Sequence, residues 1–435
     1  VLKRFVALLI FCVSTSAMAA GPLILEGASG HVPARYQDPN IVFNIEIGKL
    51  GSRTNSEADL RVTEAFNVWN GIGTSTIGLI KGDDILTDIN ASNFTDYIPD
   101  PPPTTIFRDD DNLNPVVYDD DGAIIDAFFG ESASESVVGF AASTIFIGSE
   151  YFTEGFVVIN GNLPPQIDDN LLTLIIAHEI GHFIGLDHSQ TDINNTESLA
   201  DRCPSVINQD TTMYPLMYPY ACRVDQIKPT HPDDNVSLST LYPASGYYQS
   251  QGQLTGRFVT TSGDPVRGAN LWVRNINTLE TFSIVSDYLK QCTGYFALML
   301  PPGEYELHAN SINDEFFEGS SVGPWADSPN DASFQPPASS IGGDVVFTAD
   351  RSTSATFTLA AGKSVDIVFR TDGSGSITMS DSQVDLVQIY NSAGSCGFTD
   401  AISDSSGGNG SPSLPLLTAL LCLPVLRRIR QGGHK

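Results

Sequence analysis

The sequence predicts an α+β fold in which a mixed strand-and-helix unit is followed by a β-sandwich. Three observations lead there. At 435 residues the chain exceeds one ordinary domain, so two or three folded units are expected. Its N-terminal half interleaves strand-like apolar runs with segments of helical periodicity. After Tyr242 the residues fall instead into short alternating runs separated by turn residues.

In the first unit, residues 55–71 read as a helix. Ser56, with Asp59 three residues on, is the expected cap; Val62, Ala65, Phe66 and Trp69 form the apolar stripe, and Gly71 stops it. Strands are expected on either side, at 41–47 and 76–80. Pro101, Pro102 and Pro103 break the chain, acidic clusters follow at 109–111 and 119–121, and a strand at 156–159 ends on Asn160-Gly161. Asp168, Asp169 and Asn170 open the next helix, where carboxylates suit the positive end of the dipole. Residues 171–184 continue it with little polar content, so this helix should be buried. A short helix at 233–241 and Tyr242-Pro243 close the unit.

The second unit spans 251–371, with strands expected at 254–259, 271–274, 295–300, 305–309, 355–359 and 365–369. Residues 313–350, rich in Pro, Ser, Gly and Asp, read as a long insertion between strands. A flexible linker is expected at 372–413, Gly/Ser-rich from 403, followed by an apolar run at 414–426 and by Arg427, Arg428 and Arg430.

Charge and export narrow the function. Lys and Arg number 22 against 51 Asp and Glu, a net charge of -29. That surface repels nucleic-acid phosphates and anionic headgroups, so no nucleic acid is expected as a partner, whereas cations such as calcium suit it. Excess acid also keeps an exported protein soluble. Lys3 and Arg4, the apolar run 5–13 and Ala17-Met18-Ala19 have the pattern of a secretory signal peptide at 1–19. The expected location is therefore secreted or cell-surface, where disulfides persist. Cys203 and Cys222 bracket a short loop and are the expected pair, whose closure should stabilise the fold by about 3 kcal/mol. Cys292 and Cys396 stay open between free and paired. The protein is expected to act as a monomer.

The segment that carries chemistry is His178-Glu179-Ile180-Gly181-His182-Phe183-Ile184-Gly185-Leu186-Asp187-His188. On a helix, residues four apart stand one above the other, so His178 and His182 can face one metal ion. Gly185 permits a left-handed turn that ends the helix and brings His188 back as a third nitrogen ligand. Three protein ligands leave a fourth position for water, which marks a catalytic zinc site. Glu179 is then the expected general base, activating water for peptide hydrolysis. At ordinary residue usage such a window arises by accident less than roughly once in a million.

This segment resembles the extended zinc signature of the metzincin metallopeptidases, and residues 177–189 look most like the matrixin branch. The resemblance runs from about 31 to 243 and implies a catalytic domain over 20–243 built from a twisted sheet and an active-site helix, with protein or peptide substrates. It also implies a methionine turn beneath the metal, for which Met213-Tyr214-Pro215 and Met217-Tyr218-Pro219 both stand, Met213 slightly preferred. The chain departs from matrixins in three ways. No Cys occurs between Ala20 and Arg202, so a cysteine switch is missing from that stretch; no His lies between Val32 and Ala177 to hold a second zinc; and the insertion after His188 is long.

Asp119, Asp121 and Asp126, around the turn at Gly122, are candidate calcium ligands, since hard cations take several oxygens from a bent backbone. Gly268-Ala269, Cys292-Thr293-Gly294-Tyr295-Phe296 and Pro301-Pro302-Gly303-Glu304-Tyr305 resemble the carboxypeptidase regulatory-like, prealbumin-type sandwich, as a spacer or as a module that binds substrate or envelope. Residues 414–435 resemble bacterial C-terminal sorting signals that attach a protein transiently to the inner membrane before trimming; a permanent anchor is the alternative. For the whole chain the rival to a secreted zinc endopeptidase is a surface adhesion or binding protein with a vestigial zinc site.

Overall fold

Thr54 begins the first helix. Its hydroxyl accepts from the Glu57 amide while the Glu57 carboxylate accepts from the Thr54 amide, a capping box at the head of α1 (Asn55–Asn70). The sequence points to Ser56 as the cap, but a cap needs extended backbone, which Thr54 has and Ser56, already inside the helix, has not. Ala58, Val62, Ala65, Phe66 and Trp69 are the buried face, and Gly71 closes the last turn.

The computed structural model describes residues 7–8, 21–27, 29–99, 112–146, 148–163, 167–189, 191, 215–218, 230–311, 344–349, 355–386 and 389–390. In the first unit the strands are β1 (Ala7–Leu8), β2 (Leu25–Glu26), β3 (Val32–Pro33), β4 (Arg35–Tyr36), β5 (Asn40–Ile45), β6 (Gly78–Lys81), β7 (Pro115–Asp119), β8 (Gly139–Phe146) and β9 (Tyr151–Asn160). The main sheet runs β1-β8-β9-β7-β5-β6, with β4 also on β9. β6, β5, β7 and β9 are mutually parallel, which requires crossovers, and α1 makes the one between β5 and β6. β8 is antiparallel to β9. β1, within the expected signal peptide, is antiparallel to the far end of β8 at Ile145 and Phe146.

Both faces of this sheet are covered. Along β7 and β9, Val116, Tyr118, Val157 and Ile159 join the core under the helices, while Val117, Phe156 and Val158 join a smaller core with Phe94, Phe128 and Phe140. That alternation is the two-residue period of a strand with apolar residues on each side. α2 (Ala123–Phe129), which the sequence does not announce, supplies Ile124, Ile125 and Phe128 to the smaller core. α3 (Asp169–Phe183) lies beside α1 in the larger one. α4 (Pro232–Leu241) and α5 (Tyr247–Ser250) lead into the second unit. The N-terminal half is thus α+β as expected.

The second unit holds two sheets. β10 (Gly252–Val259), β13 (Tyr295–Leu300), β16 (Thr348–Ala349), β18 (Ser364–Arg370) and β19 (Ser374–Ser380) form one in the order β13-β10-β18-β19-β16. β11 (Asn270–Asn275), β12 (Thr281–Val285), β14 (Gly303–Asn310), β15 (Val345–Val346) and β17 (Thr356–Leu359) form the other, with β14 central. Leu254, Phe258, Val273, Leu307, Phe357 and Phe369 meet between them. The expected boundary at 371 is corrected: β19 pairs with β18 over its length and extends the sheet into the expected linker. It escapes notice because Ser374–Ser380 is mostly small and polar, exposing one face to water. Among the described residues no helix is long and apolar enough to cross a membrane. Cys203, Cys222, Met213 and the tail 414–435 lie outside the described residues.

Glu46 ties the sheet to its loops. Its carboxylate is 1% exposed and accepts from the amides of Gly48, Ile89 and Tyr118 at 2.6, 3.2 and 3.0 Å. Burial, aided by Asp88 and opposed by those amides, pushes its carboxyl from the ordinary 4.5 up to about 7. Between those values the folded chain keeps a proton that the unfolded chain has released, so this group's contribution to stability is lost as pH rises through the window. Melting temperature measured from about pH 4 to 8 should therefore fall more steeply for the wild type than for Glu46→Gln; parallel curves would refute this.

Candidate metal centre

Asp168 caps α3 by accepting from the Leu171 amide, and the helix that follows is buried nearly all round, with Leu172, Ile175, Ile176, Ala177, Ile180 and Phe183 in the core. Trp69 of α1 donates its indole N–H to the Ala177 carbonyl at 2.8 Å, just before the first histidine. Gly185 ends the helix at φ +98°, with the Ala34 carbonyl and the Phe152 ring 3.0 Å from where a Cβ would stand. Both its backbone angle and its surroundings require glycine. The chain then doubles back, so that His188 faces His178 and His182.

The three Nε2 atoms form a triangle with sides of 3.1, 3.1 and 3.0 Å. His178 Nδ1 lies 2.8 Å from the Leu216 carbonyl and His182 Nδ1 lies 2.9 Å from that of Leu186. A carbonyl only accepts, so each Nδ1 carries the proton and donates it, and each Nε2 presents a bare lone pair. Burial keeps both rings neutral, holding His178 down at about 4 and His182 at about 3. Neutral nitrogens aimed at one another repel unless a cation sits between them. Nitrogens on a tetrahedral zinc, at about 2.0–2.1 Å from it, stand about 3.3 Å apart, close to the observed spacing. Among the described residues this is the one group of His, Cys, Asp and Glu that could hold a metal ion.

Glu179 follows His178 directly on α3. It is 7% exposed and lies beside Gly139, the first residue of β8, where a Cβ would stand 3.2 Å from the Glu179 Cγ. Burial pushes its carboxyl up to about 8, and a divalent cation on the neighbouring histidines would act the other way.

Against α3 at Gly181 lies Met217, fully buried. A Cβ on Gly181 would fall 2.2 Å from its sulfur and 2.9 Å from the Trp69 ring, so glycine lets the methionine seat against the helix. Of the two candidate methionines, Met217 occupies this place, and Met213 lies outside the described residues. Asp234, at the head of α4, accepts from the amides of Leu216 and Met217 and from that of His231. It thereby fixes the carbonyl that orients His178. Sequence reading missed Asp234 and its neighbour Asp233, because acids in a first helical turn normally sit in solvent; both are buried.

The expected calcium ligands are not gathered as a site. Asp119 accepts from the amides of Ile124 and Ile125, Asp121 from that of Ala123, and Asp126 from that of Ser134. These carboxylates hold the N-terminus of α2 and the following turn.

No protein-family model matches the chain, and no curated protein matches it. Among solved structures, a protein assigned to cell adhesion from Bacteroides ovatus is 11% identical with a TM-score of 0.17, covering 31% of this chain and 46% of its own, so the chain spans about half of that protein. The 5-hydroxyisourate hydrolase of Klebsiella pneumoniae is 14% identical with a TM-score of 0.14, covering 29% of this chain and 90% of its own. Overlaps of this size assign neither fold nor function.

Gly181→Ala should destabilise the protein by about 1–3 kcal/mol in a denaturant melt, through overpacking against Met217. Adding Met217→Ala should cost less than the sum of the two changes. A Gly181→Ala variant as stable as the wild type would rule out this packing.

Proposed function

We propose that the chain is a secreted zinc-dependent endopeptidase of the metzincin, matrixin-like type. The observation that carries the reading is the convergence of three bare imidazole nitrogens at about 3 Å, with Glu179 on the adjacent helical position. Met217 packed beneath α3 supports the resemblance to a methionine turn. The donor set, three neutral imidazoles, suits zinc and leaves a fourth coordination position open.

Zinc at that point would supply Lewis acidity toward water and the scissile carbonyl. The protein's part is positional and protolytic. His178, His182 and His188 hold the cation, with two of the rings locked by the Leu216 and Leu186 carbonyls so that no proton competes for Nε2. Glu179, beside the ligands but not one of them, takes the proton of the attacking water at its carboxylate and returns it to the leaving amine. Its buried surroundings limit competing water around the carboxylate. Export through the N-terminal segment places this activity outside the cytoplasm, with protein or peptide substrates.

Glu179→Ala should retain one zinc per chain and lose casein hydrolysis by at least about 100-fold, whereas His182→Ala should lose the metal itself. A Glu179→Ala protein cutting casein at the native rate would sink this mechanism, and a wild-type protein that binds zinc yet cuts neither casein nor a peptide mixture would favour a binding protein.

A further inference from the structure

Outside the histidine cluster, four buried polar residues close a ring of hydrogen bonds across the two units. Ser189, next to the ligand His188, donates its hydroxyl to Asp233 Oδ2 at 2.7 Å. Asp233 Oδ1 accepts from the backbone amide of Ser283, on β12 of the sandwich, at 2.9 Å. The Ser283 hydroxyl accepts from the Thr191 hydroxyl at 2.8 Å, and the Thr191 amide donates to the Ser189 hydroxyl at 3.2 Å. Ser189, Thr191, Asp233 and Ser283 are all at most 1% exposed. The Ser189 amide also donates to the Met217 carbonyl at 2.7 Å, joining the ring to the methionine loop.

The ligands differ in their footing. His178 and His182 stand on a buried helix whose own backbone fixes them. His188 lies beyond Gly185 on irregular chain, where placement must come from tertiary contacts. Asp233 is the hub: a buried carboxylate whose two oxygens take one donor from the residue after His188 and one from the sandwich. Tyr218 and Val236, from the methionine loop and α4, are buried in the sandwich core, so the second unit is packed onto the same elements that the ring joins.

We propose that the β-sandwich is a working part of the metal centre, with Ser283, Asp233 and Thr191 acting as positioning residues that set metal affinity through Ser189 and His188. This rests on the metal-site reading above and replaces the sequence alternatives of a spacer or a substrate-binding module.

The test uses the full chain, with Zn2+ affinity measured by competition against a chromophoric chelator and with the visible spectrum of the Co2+-substituted protein. Asp233→Asn keeps the side chain's size but turns an N–H toward one of the two donors. It should weaken Zn2+ binding about 10- to 100-fold and shift the Co2+ bands, as changes behind metal ligands do. Ser283→Ala and Thr191→Val, which break one shared hydrogen bond, should each weaken binding several-fold, and the double variant should lose no more than the worse single. Ser283→Ala removes one oxygen atom, so it serves if Asp233→Asn does not fold. Wild-type protein binding one Zn2+ while these variants bind as tightly, with unchanged Co2+ spectra, overturns the coupling alone. Wild-type protein that takes up no Zn2+ overturns the metal reading and the coupling with it.

Discussion

Two backbone carbonyls govern the chemistry of this fold. Leu216 and Leu186 each take the Nδ1 proton of a histidine on α3, and in doing so they leave the opposite nitrogens bare. With a third imidazole brought to 3.0–3.1 Å, the three nitrogens form a group that could hold a metal ion. Much of the surrounding structure exists to hold those carbonyls and rings still. Asp234 grips the amides of Leu216 and Met217, Trp69 braces the helix at Ala177, and Tyr242 donates its hydroxyl to the Ile184 carbonyl where the helix ends.

The arrangement also explains where glycine and acid fall. Gly181 and Gly185 are one turn apart, and each stands where a side chain would strike a neighbour: Met217 and Trp69 at the first, Ala34 and Phe152 at the second. The buried acids follow a similar logic in reverse. Asp233 and Asp234 enter the interior because backbone amides and hydroxyls are already there to meet them, and a carboxylate accepting several N–H groups replaces much of its lost hydration. Asp119 does the same work at the head of α2.

How much of this could be read beforehand depends on whether a feature is local. The histidine spacing, the buried helix from Asp169 and the turn at Gly185 are short-range properties, and the structure places them as the residues suggest. β10, β13, β14 and β18 were visible for the same reason, through alternation within a few residues. β7, β12 and α2 were not announced: β7 is buried at every position and its Val116-Val117-Tyr118 run shows no alternation, β12 alternates only over Thr281 to Ile284, and α2 is seven residues long. The calcium expectation rested on composition, and a cluster of acids looks alike whether it caps a helix or binds an ion. Only the hydrogen bonds to Ile124, Ile125, Ala123 and Ser134 separate the two.

What sequence could not carry at all is the support of the third ligand. Ser189 and Asp233 are 44 residues apart, and Asp233 and Ser283 a further 50. Contacts of that separation leave no periodic or composition signal, since serine, threonine and aspartate are ordinary loop residues until something buries them. They also carry an entropic consequence: the chain must close two long loops before His188 is held. Local helix formation can bring His178 and His182 together early, but a complete set of three ligands has to wait for α4 and β12 to dock. On that argument the candidate metal site depends on both units, although its three histidines come from one of them.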